Sequence, residues 1–500
     1  MSDNLLRALF AVTLLISIAD QIPLHNTRWV EDESWYSDAG KTLMTEGRLR
    51  LSSFPPSDTF HYVDTRPPAM SAALAVSFKL FGVGIWQARL PSYIARTGTI
   101  LIVFLLGIRY AGLLAGFLVA ALLLSDNYLF VAGRTVRPEA LVTLFTVLTL
   151  WLYHQARERK SLPLTFAASL AAAGAMAFHV EGVSAVLSLG LLLLLELRFS
   201  VWKSARAWCF ALTIAAVLGS FTLWIRSDEA HLAAYRALYA DRAGVPYSQK
   251  LHQEVERYKD FIGLGNQRTP LPVKIPVRAH IAIAILASLV ILWRFDRTAT
   301  FDLVIFMVVQ VLWLSYMTNK TARYFAISTP FFALAVALAG VYLIRKTNWP
   351  RTAAWALALI FASQVAGNAL ILYTFRNADY AMVTEQLRAA IPPDRSVWGI
   401  TTFWLALNDH RYYSYDRAPI DYAISALKPD YLILNDRVML HGIGYGVDDF
   451  KDERERSNAF AQRSATLVAK APDPFYGPLE IYHVCYGSAG VQDCSEAKPK

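Results

Sequence analysis

Long apolar segments alternate with shorter polar ones along most of the chain. Eleven segments are mainly apolar over about 15 to 22 residues, close to the roughly 20 residues that a helix needs to cross a bilayer. They are residues 5–24, 89–108, 111–126, 139–154, 163–178, 183–197, 207–225, 278–294, 300–317, 324–344 and 352–373. The pattern predicts a polytopic α-helical membrane protein with about eleven spans.

A long polar insert, residues 25–88, follows the first apolar segment. It carries consecutive acids, among them Asp32 and Glu33, and Asp32 is suited to cap a helix that runs to about Glu46 and stops at Gly47. Carboxylates are stabilised at the positive end of a helix. We therefore expect an acidic cluster at the start of this helix.

The same helix has an apolar face, because Trp35, Ala39 and Leu43 recur every four residues. This spacing predicts an amphipathic helix on the membrane surface, with Tyr36 one turn after the acids. The insert later contains Arg66, directly before two prolines that favour an extended chain. Acids thus stand at one end of the insert and a cation at the other.

Basic residues concentrate in four short loops, 155–161, 198–206, 294–297 and 345–351. Such loops stay on the cytoplasmic side. Alternation then places residues 25–88, 127–138, 179–182, 227–277, 318–323 and 374–500 outside. For this topology Ala69–Phe81 must not cross the membrane, and its length suits a re-entrant or interfacial helix better than a span. A signal peptide cleaved near Ser17-Ile18-Ala19 is the alternative for the first segment.

Composition and charge fit this class. Of the 500 residues, 55% are hydrophobic and only 17% are charged. Residues 374–500 contain 14 Lys and Arg against 17 Asp and Glu, a net charge of −3, which leaves +12 for the rest of a chain whose total is +9. Cytoplasmic retention loops and anionic lipid account for the basic excess, so no nucleic-acid partner is expected.

Residues 374–500 lose the long apolar runs and predict a small α/β domain. Asp379–Ile391 is expected to form a helix, and Val397–Ile400, Tyr431–Leu434 and Leu479–Val484 are expected to form strands. We therefore divide the chain into a transmembrane domain, residues 1–375, and an outer α/β domain, residues 376–500.

The three cysteines have different settings. Cys209 falls within a predicted span and is interpreted as a packing residue. Cys485 and Cys494 bracket a short step that contains glycine, in the region placed outside the cytoplasm. We expect these two to form a disulfide there.

The second large outer loop, residues 227–277, begins with Ser227-Asp228-Glu229, a favourable helix start. Residues Ala230–Arg242 carry leucines and tyrosines on roughly one face. This segment is either a solvated connector with a surface helix or a lid over a lipid-facing site.

Ionisable residues also cluster at the outer ends of spans. Arg134, Arg137 and Glu139 open one span, His179 and Glu181 lie in a short turn, and Lys320, Arg323 and Tyr324 open another. An ionised side chain inside the membrane is energetically costly, which makes these residues functional candidates. Alternatively, each long side chain could extend its charged group to the membrane interface. His179 and Glu181 are two residues apart and would bind a metal with Asp32 or Glu33 only from an irregular turn.

This arrangement resembles the type C glycosyltransferases. The likeness rests on Asp32-Glu33 in the first outer loop, Arg66-Pro67-Pro68, Gly133-Arg134 followed by Glu139, and Arg323-Tyr324, and it covers the chain to about residue 375. Within these enzymes, the chain is most similar to the group that contains the bacterial aminoarabinose-lipid A transferase and the dolichyl-phosphate-mannose protein mannosyltransferases. Family members usually have Lys at Arg66, Asp at Glu139 and Lys at Glu181, and the last difference reverses the charge.

The resemblance implies transfer of a sugar from a polyprenyl-phosphate donor to a lipid, glycan or protein of the envelope, at the outer face of a bacterial inner membrane. It implies that Asp32 is catalytic, with Glu33 and Glu139 as further acids. Donor phosphate would be bound by Arg66, Arg134 and Arg323, and substrates positioned by Tyr36, His179, Glu181 and Tyr324. No cofactor is required, and a divalent metal is compatible with the acids.

Two other classes share some of these features. A transporter or flippase is also polytopic and also buries ionisable groups, but it predicts an internal repeat and charges near mid-span. A polytopic receptor or assembly factor would use its outer domain to bind a partner. The charges here stand at the outer ends of spans, which favours the transferase.

The predicted topology can be tested with single cysteines and an impermeant thiol reagent. We expect the loops that contain Lys160 and Lys346 to be protected in intact cells, and positions near Asp32 and in residues 374–500 to be labelled. Labelling of the Lys160 loop from outside would refute this topology.

Overall fold

The structure is a computed structural model. It describes residues 3–19, 29, 31–54, 66–227, 229, 232–236, 244–262, 278–317, 322–415, 418–435, 447–471, 473, 476–487 and 490–491.

Most of this described chain is helical. The α-helices are α1 Asp3–Ala19, α2 Glu31–Glu46, α3 Ala69–Phe81, α4 Ile85–Ala111, α5 Leu113–Ser125, α6 Asn127–Ala132, α7 Glu139–Arg159, α8 Leu162–Phe178, α9 Val183–Leu197, α10 Ala205–Arg226, α11 Tyr247–Ile262, α12 Ala279–Phe295, α13 Arg297–Tyr316, α14 Phe325–Lys346, α15 Pro350–Thr374, α16 Tyr380–Ala390 and α17 Val447–Ser464. Shorter helical turns are Val180–Gly182, Arg198–Lys203, Ala322–Tyr324, Thr401–Leu407, Ile420–Tyr422 and Ala423–Leu427.

All eleven apolar segments are helical over most of their described length. Within the described residues, six helical stretches are long and apolar enough to cross a membrane: Ile85–Ala111, Val180–Lys203, Ala205–Arg226, Arg297–Tyr316, Phe325–Lys346 and Pro350–Thr374. Five shorter apolar helices accompany them, including Ala69–Phe81 with the predicted bounds. The polytopic helical class is confirmed, and the count of about eleven spans stays a prediction.

The chain divides into two compact units. The first unit comprises Met1–Leu24, Thr65–Met70 and Arg89–Thr374, and the second comprises His25–Asp64, Ser71–Ala88 and Phe375–Lys500. The second unit therefore joins the acidic first loop to the C-terminal region, residues 375–500. The functional division into a transmembrane and an outer domain stays a prediction.

In the first unit, polar caps begin several of the helices. The Ser161 hydroxyl accepts a hydrogen bond from the Leu164 amide at 3.4 Å at the start of α8. The Asp296 carboxylate accepts one from the Ala299 amide at 2.9 Å at the start of α13, and a second from the Tyr342 hydroxyl at 2.9 Å. These side chains satisfy amides that have no partner within their own helix.

Helix α7 packs along α8, and α8 contacts α9 and α10. The turn between α8 and α9 is very close, because a Cβ atom on Gly182 would stand 2.1 Å from the Ala175 carbonyl group. Only glycine fits there without displacement of backbone. By contrast, nothing lies within 4 Å of the corresponding position on Gly219 in α10.

In the second unit, helix α2 begins at Glu31, one residue before the predicted cap, and ends before Gly47, whose φ is +67°. Asp32 is therefore in the first turn and is not the N-cap, which corrects the prediction. All three consecutive acids lie in this first turn, where the positive end of the helix favours them. The predicted end at Gly47 is confirmed.

The C-terminal part of the second unit contains a five-stranded mixed sheet. Its strands are β1 Ser396–Gly399, β2 Arg411–Ser414, β3 Tyr431–Leu434, β4 Ala465–Ala471 and β5 Leu479–Val484, in the order β2-β1-β3-β5-β4. β1 is parallel to β2 and β3, whereas β5 is antiparallel to β3 and β4. Two short strands, β6 Tyr486–Gly487 and β7 Gly490–Val491, form a separate ladder.

The small α/β domain is confirmed, and the three predicted strands match β1, β3 and β5 to within one residue. The sequence pattern does not predict strands β2 and β4. Strand β4 has a register shift between Leu467 and Ala469. Helix α16 starts after Asp379, whose carboxylate accepts from the Ala381 amide at 2.9 Å.

The helix expected over residues 230–242 lies largely outside the described residues, although 232–236 are helical. Helix α11 is not predicted by the sequence pattern. Cys209 is a free cysteine. Lys320 and Cys494 lie outside the described residues, so the pairing of Cys485 with Cys494 stays a prediction.

We expect Gly182→Ala to destabilise the protein strongly, because the added methyl group would meet backbone atoms that cannot move independently. Overpacking of this kind costs about 1–3 kcal/mol or more. Gly219→Ala is the matched control and should be neutral or slightly stabilising, since alanine is the better helix former by about 1 kcal/mol. Thermal unfolding in detergent measures both, and equal melting temperatures would contradict the prediction.

Candidate active site

The first part of the candidate site is the acidic start of helix α2 in the second unit. Glu33 is fully buried, Tyr36 is 5% exposed and Asp32 is partly exposed. Asp32 is therefore accessible, whereas Glu33 lies in the interior of this unit. Of the two, Asp32 is better placed to meet a substrate.

A third carboxylate on α2, Asp38, is surrounded by hydrogen-bond donors. Its Oδ1 accepts from the Ser52 amide at 2.9 Å and hydroxyl at 2.6 Å, and its Oδ2 accepts from the Ser53 amide at 2.8 Å and hydroxyl at 2.6 Å. Burial raises the pKa of Asp38, and the four donors act against that shift. Asp38 thus fixes residues 52–53 to the helix and has a structural role.

The second part of the candidate site is a cluster in the first unit at the start of α7. Glu139 is 2% exposed, and its Oε1 lies 3.2 Å from Arg137 Nε and 3.6 Å from Arg323 Nε. Its second oxygen, Oε2, is buried and has no hydrogen-bond partner among the described residues. The two neighbouring guanidinium groups compensate the charge of this buried carboxylate.

His179 and Tyr324 belong to the same cluster. Their rings lie 5.6 Å apart, and His179 Nδ1 accepts from the Glu181 amide at 3.3 Å. Glu181 is 3% exposed, and its carbonyl oxygen accepts from the Ser184 hydroxyl at 2.7 Å. Between helices α8 and α9 the chain forms a short helical turn, Val180–Gly182, and Glu181 lies within it.

The three arginines expected to bind the donor phosphate are in different settings within the first unit. Arg134 is buried, and its guanidinium stacks on the Phe130 ring at 3.8 Å. Arg323 pairs with Glu139, so its charge is partly compensated. Arg66 is partly exposed.

The candidates are divided between the two units. Asp32, Glu33 and Tyr36 belong to the second unit, and the other candidates belong to the first. Within the first unit the structure brings Glu139, Arg323, His179 and Tyr324 into one cluster.

A buried polar network in the first unit was missed from the sequence. Arg278 donates to Asn127 Oδ1 at 3.0 Å, Asn127 donates to Asn368 Oδ1 at 2.6 Å, and Asp126 accepts from Gln364 at 3.4 Å. The spacing of Gln364 and Asn368, four residues apart in an apolar helix, was the available signal. Because Asp126 and Arg278 carry opposite charges, this network is close to neutral.

A cavity of about 40 Å³ adjoins the network and is lined by Asp126, Tyr128, Arg278 and Gln364 together with apolar residues. Among the described residues, Arg278 Nη1, Tyr128 Oη and Gln364 Oε1 have no hydrogen-bond partner. A space of this size, with a few polar groups in a mainly apolar wall, has room for internal water at those groups.

A second network joins three helices of the first unit. The Tyr110 hydroxyl lies 2.7 Å from His154 Nε2 and donates to Asp302 at 3.0 Å, and His154 lies 3.2 Å from Asp302. It connects α4, α7 and α13 near the loops predicted to be cytoplasmic. The sequence contained these residues only as isolated polar positions.

A metal site could draw on few of these groups. Within the described residues, no three His, Cys, Asp or Glu side chains converge on one point. Glu139 offers a single carboxylate oxygen that has no partner in the described part of the chain. The acids of the described cluster could supply one or two ligands to a metal ion, fewer than a dedicated metal site uses.

Comparison with known proteins supports the sequence-based resemblance. The family model described as dolichyl-phosphate-mannose-protein mannosyltransferase matches residues 65–224. This range includes Arg66, Arg134, Glu139 and His179. A protein of Aquifex aeolicus (strain VF5), described as uncharacterized, is 26% identical over 137 residues, which is 27% of this chain and 27% of that protein.

The solved structures are similar over a much longer range. ArnT from Cupriavidus metallidurans in the apo state matches with a TM-score of 0.64 and 14% identity over 99% of both chains. The same protein bound to undecaprenyl phosphate matches with a TM-score of 0.62 and 13% identity, over 99% of this chain and all of that one. The oligosaccharyltransferase AglB from Archaeoglobus fulgidus, in complex with an inhibitory peptide and a dolichol-phosphate, matches with a TM-score of 0.51 and 12% identity, over 96% and 74%.

The long apolar helices indicate a multi-pass membrane protein, and the structural matches show that it has the fold of the type C glycosyltransferases. The predicted resemblance is confirmed. Within that class, the chain is similar to ArnT from end to end.

The Arg137–Glu139 pair should behave as a coupled unit. We expect Glu139→Gln to lower stability more than Arg137→Gln, because the first leaves two cations without their acid and the second leaves Arg323 in place. Breaking a buried ion pair costs about 3–5 kcal/mol. The double variant should lose less than the sum, with a coupling of about 0.5–3 kcal/mol.

The control is the more exposed pair Arg109–Glu158, which is 2.5 Å apart with side chains 25% and 51% exposed. A double-mutant cycle on this exposed pair should give a coupling free energy of about 0–1 kcal/mol. Unfolding in detergent measures both cycles. Additive effects at Arg137 and Glu139 would show that the two charges do not interact.

Proposed function

We propose that this protein transfers a sugar from a polyprenyl-phosphate donor to a hydroxyl or amine of an envelope lipid, glycan or protein, at the outer face of a bacterial inner membrane. The observation that carries the proposal is the fold, which matches ArnT over nearly the whole of both chains. That ArnT was solved with undecaprenyl phosphate, a polyprenyl phosphate, supports the choice of donor class.

The chemistry matches the types of residue present. The bond between the anomeric carbon and the phosphate oxygen breaks, the acceptor atom bonds to that carbon, and the acceptor proton must be removed. Charge develops on the lipid phosphate as the sugar becomes positive, so fixed cations and a carboxylate stabilise the transition state. Arginine suits the phosphate because its planar fork binds two oxygens and stays charged.

We assign the proton transfer to Asp32, because its side chain is partly exposed while most of helix α2 around it is buried. Glu33 and Tyr36 are more deeply buried and would hold the start of the helix in place. Arg66 would bind the donor phosphate, with Arg134 and Arg323 as further cations.

Glu139 would bind the acceptor, or a divalent ion if one is used, through its Oε2, which has no partner among the described residues. His179, Glu181 and Tyr324 would shape this part of the site. The guanidinium groups of Arg137 and Arg323 both lie near Glu139 Oε1 and favour its charged form. A carboxylate that stays charged is better suited to recognise a ligand than to transfer a proton.

The assay uses purified protein in liposomes with a radiolabelled polyprenyl-phosphate sugar. Transfer or hydrolysis supports the enzyme, whereas uptake into sealed vesicles without either supports the transporter. A mass-spectrometric comparison of envelope glycolipids and glycoproteins with and without the gene would identify the acceptor.

In this assay we expect Asp32→Asn to lower turnover by about 10²–10⁴-fold, the usual contribution of a positioned base, and to leave donor binding nearly unchanged. Arg66→Ala should weaken donor binding instead, and Arg66→Lys should do so less, because the charge remains and the fork is lost. Near-normal transfer by Asp32→Asn at saturating donor would overturn the catalytic assignment.

A further inference from the structure

The chain leading into helix α2 is fixed at Trp29 by a single tyrosine. The Tyr476 hydroxyl accepts a hydrogen bond from the Trp29 amide at 2.5 Å and donates one to the Trp29 carbonyl oxygen at 3.1 Å. Trp29 is completely buried. One side chain from near the end of the chain therefore bonds to both backbone groups of a residue that lies three positions before Asp32.

The first turn of α2 is bonded to the same C-terminal region. Trp29 Nε1 donates to the Ser34 hydroxyl at 2.6 Å, and that hydroxyl lies 3.5 Å from the Thr402 carbonyl oxygen. The Tyr380 hydroxyl donates to the same carbonyl at 2.6 Å, and its ring lies 5.8 Å from that of Trp29. The three consecutive acids, residues 31–33, thus lie between two anchored positions, Trp29 and Ser34.

The second half of α2 and the segment that follows the helix are bonded to the same region. Lys41 donates to the Asn408 carbonyl oxygen. The Ser414 amide, at the end of strand β2, donates to the Ser53 carbonyl oxygen at 2.8 Å. Ser53 is bonded in turn to the Asp38 carboxylate on the helix. The C-terminal region therefore contacts helix α2 near its start, in its second half at Lys41, and through Ser53 beyond its end.

We propose that Tyr476 is a positioning residue for the reaction, and that the C-terminal region sets the place of Asp32 by holding Trp29. The inference rests on the proposed function and names a residue that acts through the backbone, without touching a substrate. A displacement of about 1 Å at a reacting group can lower the rate by about 10²-fold. Loss of the Tyr476 hydroxyl would remove this partner from the buried Trp29 amide and carbonyl groups, and the segment would shift to replace it.

The variant Tyr476→Phe removes only the hydroxyl and keeps the ring in the core. We expect its kcat to fall by about 10-fold or more, with the KM for the donor changed by less than about 2-fold, because ground-state binding does not depend on where Asp32 stands. The matched control is Tyr486→Phe, which removes a hydroxyl that donates to the Pro429 carbonyl oxygen at 3.2 Å in the same region. Its kcat should stay at the wild-type value.

A wild-type kcat for Tyr476→Phe would overturn the proposal. An equal loss in both variants would overturn it as well, since it would indicate general damage to the C-terminal region. If Tyr476→Phe does not accumulate as folded protein, Tyr380→Phe takes its place, because it removes the bond to the Thr402 carbonyl oxygen and should give the same separation of kcat from KM.

Amide hydrogen exchange separates this proposal from the proposed function. If the wild-type protein transfers no sugar from any polyprenyl-phosphate donor, the proposed function fails, and the positioning role is judged on exchange alone. Tyr476→Phe should then speed exchange over residues 31–38 and leave α16 unchanged. Unchanged exchange over residues 31–38 would overturn the positioning role.

Discussion

An ionised side chain is stable inside a protein only where other groups compensate its charge, and this constraint governs the polar interior of both units. Asp38 is compensated by four hydrogen bonds from Ser52 and Ser53. Glu139 is compensated by the guanidinium groups of Arg137 and Arg323. In both cases the compensating groups come from another part of the chain: Ser52 and Ser53 follow helix α2, and Arg323 precedes helix α14. The polar groups therefore also determine how these segments pack.

The elements themselves were largely predictable, because their signals are local. Apolar runs marked the helices, and Gly47, with a φ of +67°, marked the end of α2. Short apolar runs marked β1, β3 and β5. Helix α2 starts two residues earlier than an N-cap at Asp32 implies, since three consecutive acids are all suitable for a first turn and the sequence does not distinguish among them.

The contacts within the candidate site were not predictable from one sequence, because they are long-range. Tyr476 lies 447 residues from Trp29, and Glu139 meets Arg323 only after several intervening helices have packed. Helix α11 was missed because its residues are mostly polar and lie within a loop. Strand β4 was missed because it lies at a sheet edge with much of its surface exposed, so its sequence lacks the pattern of a buried strand.

That edge has a consequence for how the protein behaves at high concentration. An unpaired strand edge is a template for pairing with another chain. No described strand pairs with the outer side of β4, and Leu467 and Val468 are 48% and 47% exposed there. The register shift between Leu467 and Ala469 interrupts the regular pairing of this strand with β5, and Lys470 forms an ion pair with Glu480 at 2.7 Å. An incoming strand would therefore meet an irregular edge, and such an edge disfavours growth of the sheet into intermolecular aggregates.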